Sequence, residues 1–204
     1  MIQDRWNEFF ENVRAQGNSD YYFKLIEQAY SHPLRYYHTL DWHIANSISE
    51  FDRVKEFAAN PNELEFALWF HDIIYDTTRS DNEEKSAEFA CLLCQKLKMP
   101  NEFADEVSRL ILLTKYLEIP EDIDGKLMLD IDLSMLGKPD PYFKIDTGIR
   151  QEYSWVPEEV YKTHRKQILQ RFLSQRIYLT DFFFTEYEQQ ARGNLKRSIE
   201  RLEV

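Results

Sequence analysis

Glycine and proline are scarce, at 5 and 7 of 204 residues. Folds built from many short strands use these residues in their turns, so the shortage argues against an all-β chain and for long helices. Cysteine is scarcer: Cys91 and Cys94 are the only two, too few for a disulfide framework. Positive charge is the minority sign, with 25 Lys and Arg against 36 Asp and Glu and a net charge of −11. Such a chain has no general attraction for a nucleic-acid polymer or an anionic membrane. A local cation can still draw in a small anion. No apolar run approaches the length of a membrane-spanning helix. The opening MIQDRWNEFFENV lacks the basic start and apolar block of a secretory signal. A cytoplasmic, disulfide-free protein is the expectation.

Hydrophobic residues make up 43% of the chain and aromatics 15%, enough for a substantial core. Their spacing is helical. Trp6, Phe9, Phe10 and Val13 fall on one face of a first helix, and a second runs from about Tyr21 to Ser31. A third is predicted from Tyr36 to about Phe57, with Leu40, Ile44, Ile48, Phe51 and Val54 on one face. The next starts near Glu63 and carries WFHDIIYD, residues 69–76. Ser80 or Asp81 can cap a helix reaching about Lys98. Further helical runs follow over Asn101–Tyr116, Lys126–Leu136, Ile145–Tyr153, Val160–Ser174 and Asp181–Leu202. The expected fold class is all-α: one helical-bundle domain over residues 1–204, with roughly nine or ten helices. Its core spans about 21–137 and a C-terminal helical extension about 141–204, with Lys138-Pro139-Asp140-Pro141 as the strongest internal break.

Polar groups inside the apolar runs mark the candidate chemistry, because burying them is costly unless something pairs with them. His71 and Asp72 interrupt WFHDIIYD and point about 100° apart on a helix, so both can reach one metal. His38, in RYYHTLDWHI, offers a third donor. Asp130 and Asp132, in LMLDIDLSMLG, offer a fourth, and on one helix only one of them faces the metal. His43 lies five residues after His38, about 500° around a straight helix, so those two are not expected to share an ion. Imidazole with carboxylate suits Mn, Fe, Co, Ni, Zn or Mg. Each element also has a plainer reading, as a hydrogen-bonded core histidine or a helix cap. Cys91 and Cys94 read as core at helical spacing. DFFFTEY, residues 181–187, reads as a packing face or a homodimer contact.

The ordered words RYYHTLDWHI, FHDIIYD, NEEKSAEFA, LDIDLSMLG and IRQEY resemble the HD-domain superfamily, and within it the small metal-dependent HD phosphohydrolases, over about residues 35–200. The resemblance implies an HD-type helical bundle holding one divalent metal ion through His38, His71, Asp72 and Asp132, with Asp130 as the alternative to Asp132. It implies hydrolysis of a phosphate ester of a small molecule, nucleotides among them, by a metal-activated water. Relatives that hold two metals carry further histidines between the HD pair and the last aspartate. This chain has none from residue 72 to 163, and Tyr116 and Leu117 stand where some relatives have one. One ion is therefore expected.

Asp72 can ligate the metal and orient the water. Asp76, four residues on, would share its helical face and is a candidate catalytic partner. Glu83 and Glu84 can reach the site from the next helix, or simply favour that helix's N-terminus. Arg35 is the first choice for the phosphate, ahead of Lys115, Arg150 and Arg165. His43 contacts substrate or packs beneath the site. Two other classes of function compete with hydrolysis: a catalytically silent HD-type ligand-binding or regulatory module, and a helical interaction protein whose HD pair is a core hydrogen bond.

Overall fold

The protein is described here by a computed structural model, which covers residues 2–139 and 142–203. Among these residues there are ten α-helices and no strand. They are α1 (Ile2–Asn12), α2 (Ser19–Tyr30), α3 (Ala45–Val54), α4 (Pro61–Phe70), α5 (Asn82–Lys96), α6 (Asn101–Leu113), α7 (Ile123–Asp132), α8 (Tyr142–Glu152), α9 (Glu158–Leu173) and α10 (Asp181–Leu202). A π-helical turn, Leu40–Ile44, leads into α3, and a 3-10 turn, Leu133–Gly137, follows α7. Asp140 and Pro141, the middle of the expected internal break, lie outside the described residues.

Helix α4 is the central element. Every residue from Leu64 to Phe70 is buried, the pattern of a helix packed on all sides. Trp6 of α1 meets Trp69 edge-on at 5.5 Å, and Phe66 stacks on Phe70 at 4.6 Å. Such pairs add to the burial of large rings. Helix α6 packs on both α4 and α5. Cys94 faces this core, and burial pushes its thiol up to about 12. The cysteine pair is thus packing, as its spacing suggested.

Helix α10 lies along the 3-10 turn after α7. Asn194 donates to the carbonyls of Leu136 and Lys138, and Phe183 is fully buried. DFFFTEY therefore packs inward at Phe183, while Phe184 is exposed.

Helix α8 approaches the chain before the π turn very closely. A Cβ on Gly148 would sit 3.0 Å from Tyr37 Cβ and 3.2 Å from Tyr37 N. That amide cannot yield, because it donates to Glu152 Oε1 at 2.8 Å. Gly148→Ala gains about 1 kcal/mol of helix propensity but forces overpacking that costs about 1–3 kcal/mol. A net fall in melting temperature is expected, of about 2–4 °C per kcal/mol lost for a chain of this size, read by thermal denaturation.

Candidate metal centre

Helix α4 ends at Phe70, and His71 is its C-cap. The helix expected to continue through Tyr75 stops here, and the carbonyls of Asp72 and Ile73 that a longer helix would use are taken by a side chain. Arg35 Nη1 donates to Asp72 O (2.7 Å) and His38 O (3.2 Å), and Nη2 to Ile73 O (3.0 Å). A cation on the orphan carbonyls beyond a helix is a stable terminus. Arg35 is buried against the rings of Tyr30 and Tyr75. It therefore ties the His38 segment to the HD turn and does not serve as the expected phosphate contact.

The expected third helix does not begin at Tyr36. His38 lies ahead of it, and the π turn closes with Ile44 N donating to Thr39 O, a five-residue step. This turn carries His43 inward, where it is 2% exposed. His43 Nε2 stands 2.8 Å from His71 Nε2, 3.3 Å from Asp72 Oδ2 and 3.3 Å from Asp132 Oδ1. His71 Nε2 is 3.5 Å from each of those same oxygens. His43, His71 and Asp132 form a compact donor group able to hold a metal ion. Donors bound to one ion at about 2.0–2.2 Å stand roughly 3–3.5 Å from one another, so the spacing fits. The tautomer fits as well. His71 Nδ1 donates to Leu68 O at 2.9 Å, so Nε2 is the ring atom that faces the group and, once deprotonated, offers its lone pair there.

The imidazoles and carboxylates of the group are coupled to one another. Burial opposes charge on His43, yet the hydrogen bonds from its ring to Asp132 and Asp72 outweigh it and hold its pKa up to about 10. His71 is raised in the same way. Asp132 is only partly exposed, and desolvation alone would raise it, but His43 and His71 hold it well below the carboxylate range. Asp72 is lowered against burial by His71 and His43.

Further residues brace this group. Tyr116 donates its hydroxyl to Asp132 Oδ2 from a left-handed backbone conformation (φ 54°) that non-glycine residues seldom adopt. His38 Nδ1 donates to Glu152 Oε2 at 2.7 Å, and His38 Nε2 is 4.0 Å from Asp72 Oδ2. Glu152 Oε1 accepts from the amides of Tyr36, Tyr37 and His38, and Oε2 also from Tyr75 Oη. Sequence reasoning missed Glu152, choosing Arg150 from the same IRQEY word.

Several expected residues lie elsewhere. Asp130 points away from the group. Its oxygens accept from the amides of Leu179 and Thr180 and from the Thr180 hydroxyl, and burial raises its pKa to about 6. Asp132 is therefore the aspartate that faces the histidines. Arg150 bonds Glu158 and the carbonyls of Tyr153 and Val156, closing the turn between α8 and α9. Asp76 no longer shares a helical face with Asp72, because the helix has ended. It is exposed and accepts from the amide and hydroxyl of Thr78. Glu84 and Lys115 pair with each other.

The donor group opens into a cavity of about 570 Å³ that His38, His71, Asp72, Glu83, Tyr116 and Asp132 line in part. Glu83 thus reaches the site, and burial together with Asp72 raises its pKa. Tyr75, Thr77 and Trp155 separate this cavity from a larger one of about 870 Å³, which Arg35 and Asp76 line and which touches none of the metal donors. No helix among the described residues is long and apolar enough to cross a membrane. Comparison of the chain with protein-family models, curated proteins and solved structures finds no match.

Proposed function

We propose that this chain is a metal-dependent phosphohydrolase of the HD-domain type that cleaves a phosphate ester of a small molecule. The observation that carries the reading is the meeting of two imidazoles and two carboxylates, from the π turn, the end of α4 and the end of α7, beside a cavity. One divalent ion bound there supplies a Lewis acid for a phosphoryl oxygen and lowers the pKa of water toward neutrality. Among the described residues one group of this kind occurs, in keeping with a single ion.

The chain's own residues supply the rest. Asp72 carries the carboxylate that orients an attacking water and takes its proton. Tyr116 fixes Asp132 so that Oδ1 faces the imidazoles. His38 has Glu152 behind Nδ1 and Nε2 at the cavity, the placement of a proton donor to a departing alkoxide. The apolar walls exclude bulk water and strengthen these interactions.

The test is to strip the purified protein with chelator, restore Mn, Co, Ni or Mg in turn, and assay phosphomonoesters. Asp72→Asn is expected to lower kcat by about 10²–10⁴ while the far-ultraviolet dichroism stays unchanged. Tight metal binding without hydrolysis of any phosphate ester, under every ion, would refute the enzyme and favour a silent ligand-binding module.

A further inference from the structure

We infer that the ligand of the metal cavity is a phosphomonoester with one phosphate on a bulky apolar or aromatic body, and that Arg165 meets the phosphate. This rests on the phosphohydrolase reading and narrows it to a substrate class.

Arg165 lines the cavity from α9. Its side chain is only 14% exposed, its Nε has no hydrogen-bond partner, and its Nη2 stands 3.6 Å from Asp146 Oδ1. That distance is beyond a hydrogen bond. A guanidinium presents five N–H donors, and leaving the buried Nε without an acceptor is costly. A phosphate offers the paired acceptors that a guanidinium fits. Arg35 also has a buried Nε without a partner, but its two Nη atoms bond backbone carbonyls and it lines the other cavity, and Arg150 bonds Glu158 and two carbonyls.

The rest of the wall is apolar. Ile149, Tyr153 and Tyr161 line it, and Trp155, Val160 and Ile168 continue it toward solvent at 57%, 45% and 47% exposure. Large apolar side chains left exposed together mark a binding surface. Here they are continuous with the metal donors, so their occupant is the body of the molecule whose phosphate reaches the metal. The cavity, at about 570 Å³, has the size of a small-molecule site.

Charge limits the number of phosphates. Asp72, Asp132 and Glu83 face one divalent ion and one guanidinium, so the cavity is near balance before any ligand enters. The metal and Arg165 can both face one phosphate. A second phosphate would find no further Lys or Arg among the described lining residues, only the imidazoles of His38 and His164, within a chain of net charge −11.

The experiment uses the Mn-loaded full chain and two readouts. Calorimetry compares 2-phenylethylphosphonate with methylphosphonate. Turnover compares 2-phenylethyl phosphate, ethyl phosphate and 2-phenylethyl diphosphate. The phenyl phosphonate is expected to bind about 30-fold tighter than the methyl one, the effect of burying one ring. Arg165→Gln should weaken both phosphonates by roughly 10- to 100-fold, with Arg165→Lys intermediate and metal content unchanged. Val160→Asp should bring the ratio between the two phosphonates toward one. The diphosphate should be turned over at least about tenfold less efficiently than the monophosphate. Equal binding of the two phosphonates, indifference to Arg165→Gln, or preference for the diphosphate overturns the inference. If the phosphonates bind with the expected ratio but no ester is cleaved, the hydrolase reading fails and the ligand class stands. Hydrolysis with no preference for an apolar body is the converse.

Discussion

His43→Ala is expected to abolish metal binding as completely as His71→Ala, whereas His38→Ala keeps the metal and loses turnover. His43 Nε2 lies within 3.3 Å of both Asp72 and Asp132 and 2.8 Å from His71 Nε2, so no ion can sit among those donors without meeting it. Removing one such donor should cost more than the about 10- to 100-fold that outer partners of metal ligands typically cost. It also leaves two partly buried carboxylates with a single imidazole among them. His38 stands further out, with Nε2 4.0 Å from Asp72 and Nδ1 held by Glu152. Its loss should lower kcat by about 10²–10⁴, the range of a proton donor. Asp130→Asn is the control. It should leave metal content unchanged and lower the melting temperature, since Asp130 bonds only the turn before α10. Metal analysis after dialysis, with titration of Mn into stripped protein, reads all four variants. His43 keeps its proton up to about 10 in the metal-free fold, so metal must displace it, and affinity should rise with pH toward that value. Wild-type metal content in His43→Ala would refute the site.

The structure places His43 and not His38 closest to His71, Asp72 and Asp132 for a definite reason. The argument that separated them assumed 3.6 residues per turn across RYYHTLDWHI. The chain instead runs irregularly to Thr39 and then makes one π turn, which no apolar spacing announces. His71, Asp72 and Asp132 were legible because each interrupts a run of core residues, and a polar group in such a place needs a partner. The helices were legible for the same reason, since Trp6, Phe9 and Phe10, or Val107, Leu110 and Ile111, recur at helical spacing and are buried. Asp76 was misplaced because α4 ends at Phe70, and the next carbonyls are taken by Arg35, far earlier in the chain. Glu152 had no local signal at all. It lies 114 residues from His38, among polar neighbours, and only the close approach of α8 through Gly148 brings it to the site.

Glu152→Ala should have the largest effect on stability of any substitution at the site, and it should reach the chemistry as well. The residue is 4% exposed, and its carboxylate accepts from three consecutive amides, His38 Nδ1 and the Tyr75 hydroxyl. Alanine would leave these donors, the buried Tyr37 amide and the part-buried others, without their acceptor, at about 1–3 kcal/mol each where no water replaces it. A total loss of about 3–5 kcal/mol is expected, as for breaking a buried charged pair. Glu152→Gln retains one acceptor oxygen for the amides but cannot accept from His38 and Tyr75 together without turning its amide donor toward one of them, so an intermediate loss is expected. Burial alone would raise the carboxyl pKa of Glu152, but His38 and the amides hold it down to about 2. Its folded value is thus below its unfolded one. The stabilisation is fully present above the ordinary glutamate value near 4.5 and is lost as pH falls toward 2, amounting to about 3 kcal/mol at most. Denaturant unfolding from about pH 7 down to about pH 2 should show wild type losing stability across that window while Glu152→Gln is flatter there. Because His38 is freed in both variants, kcat should fall even under conditions where the fold is intact. Parallel pH curves for wild type and Glu152→Gln, with unchanged kcat, would show that this carboxylate neither braces the turn nor orients the histidine.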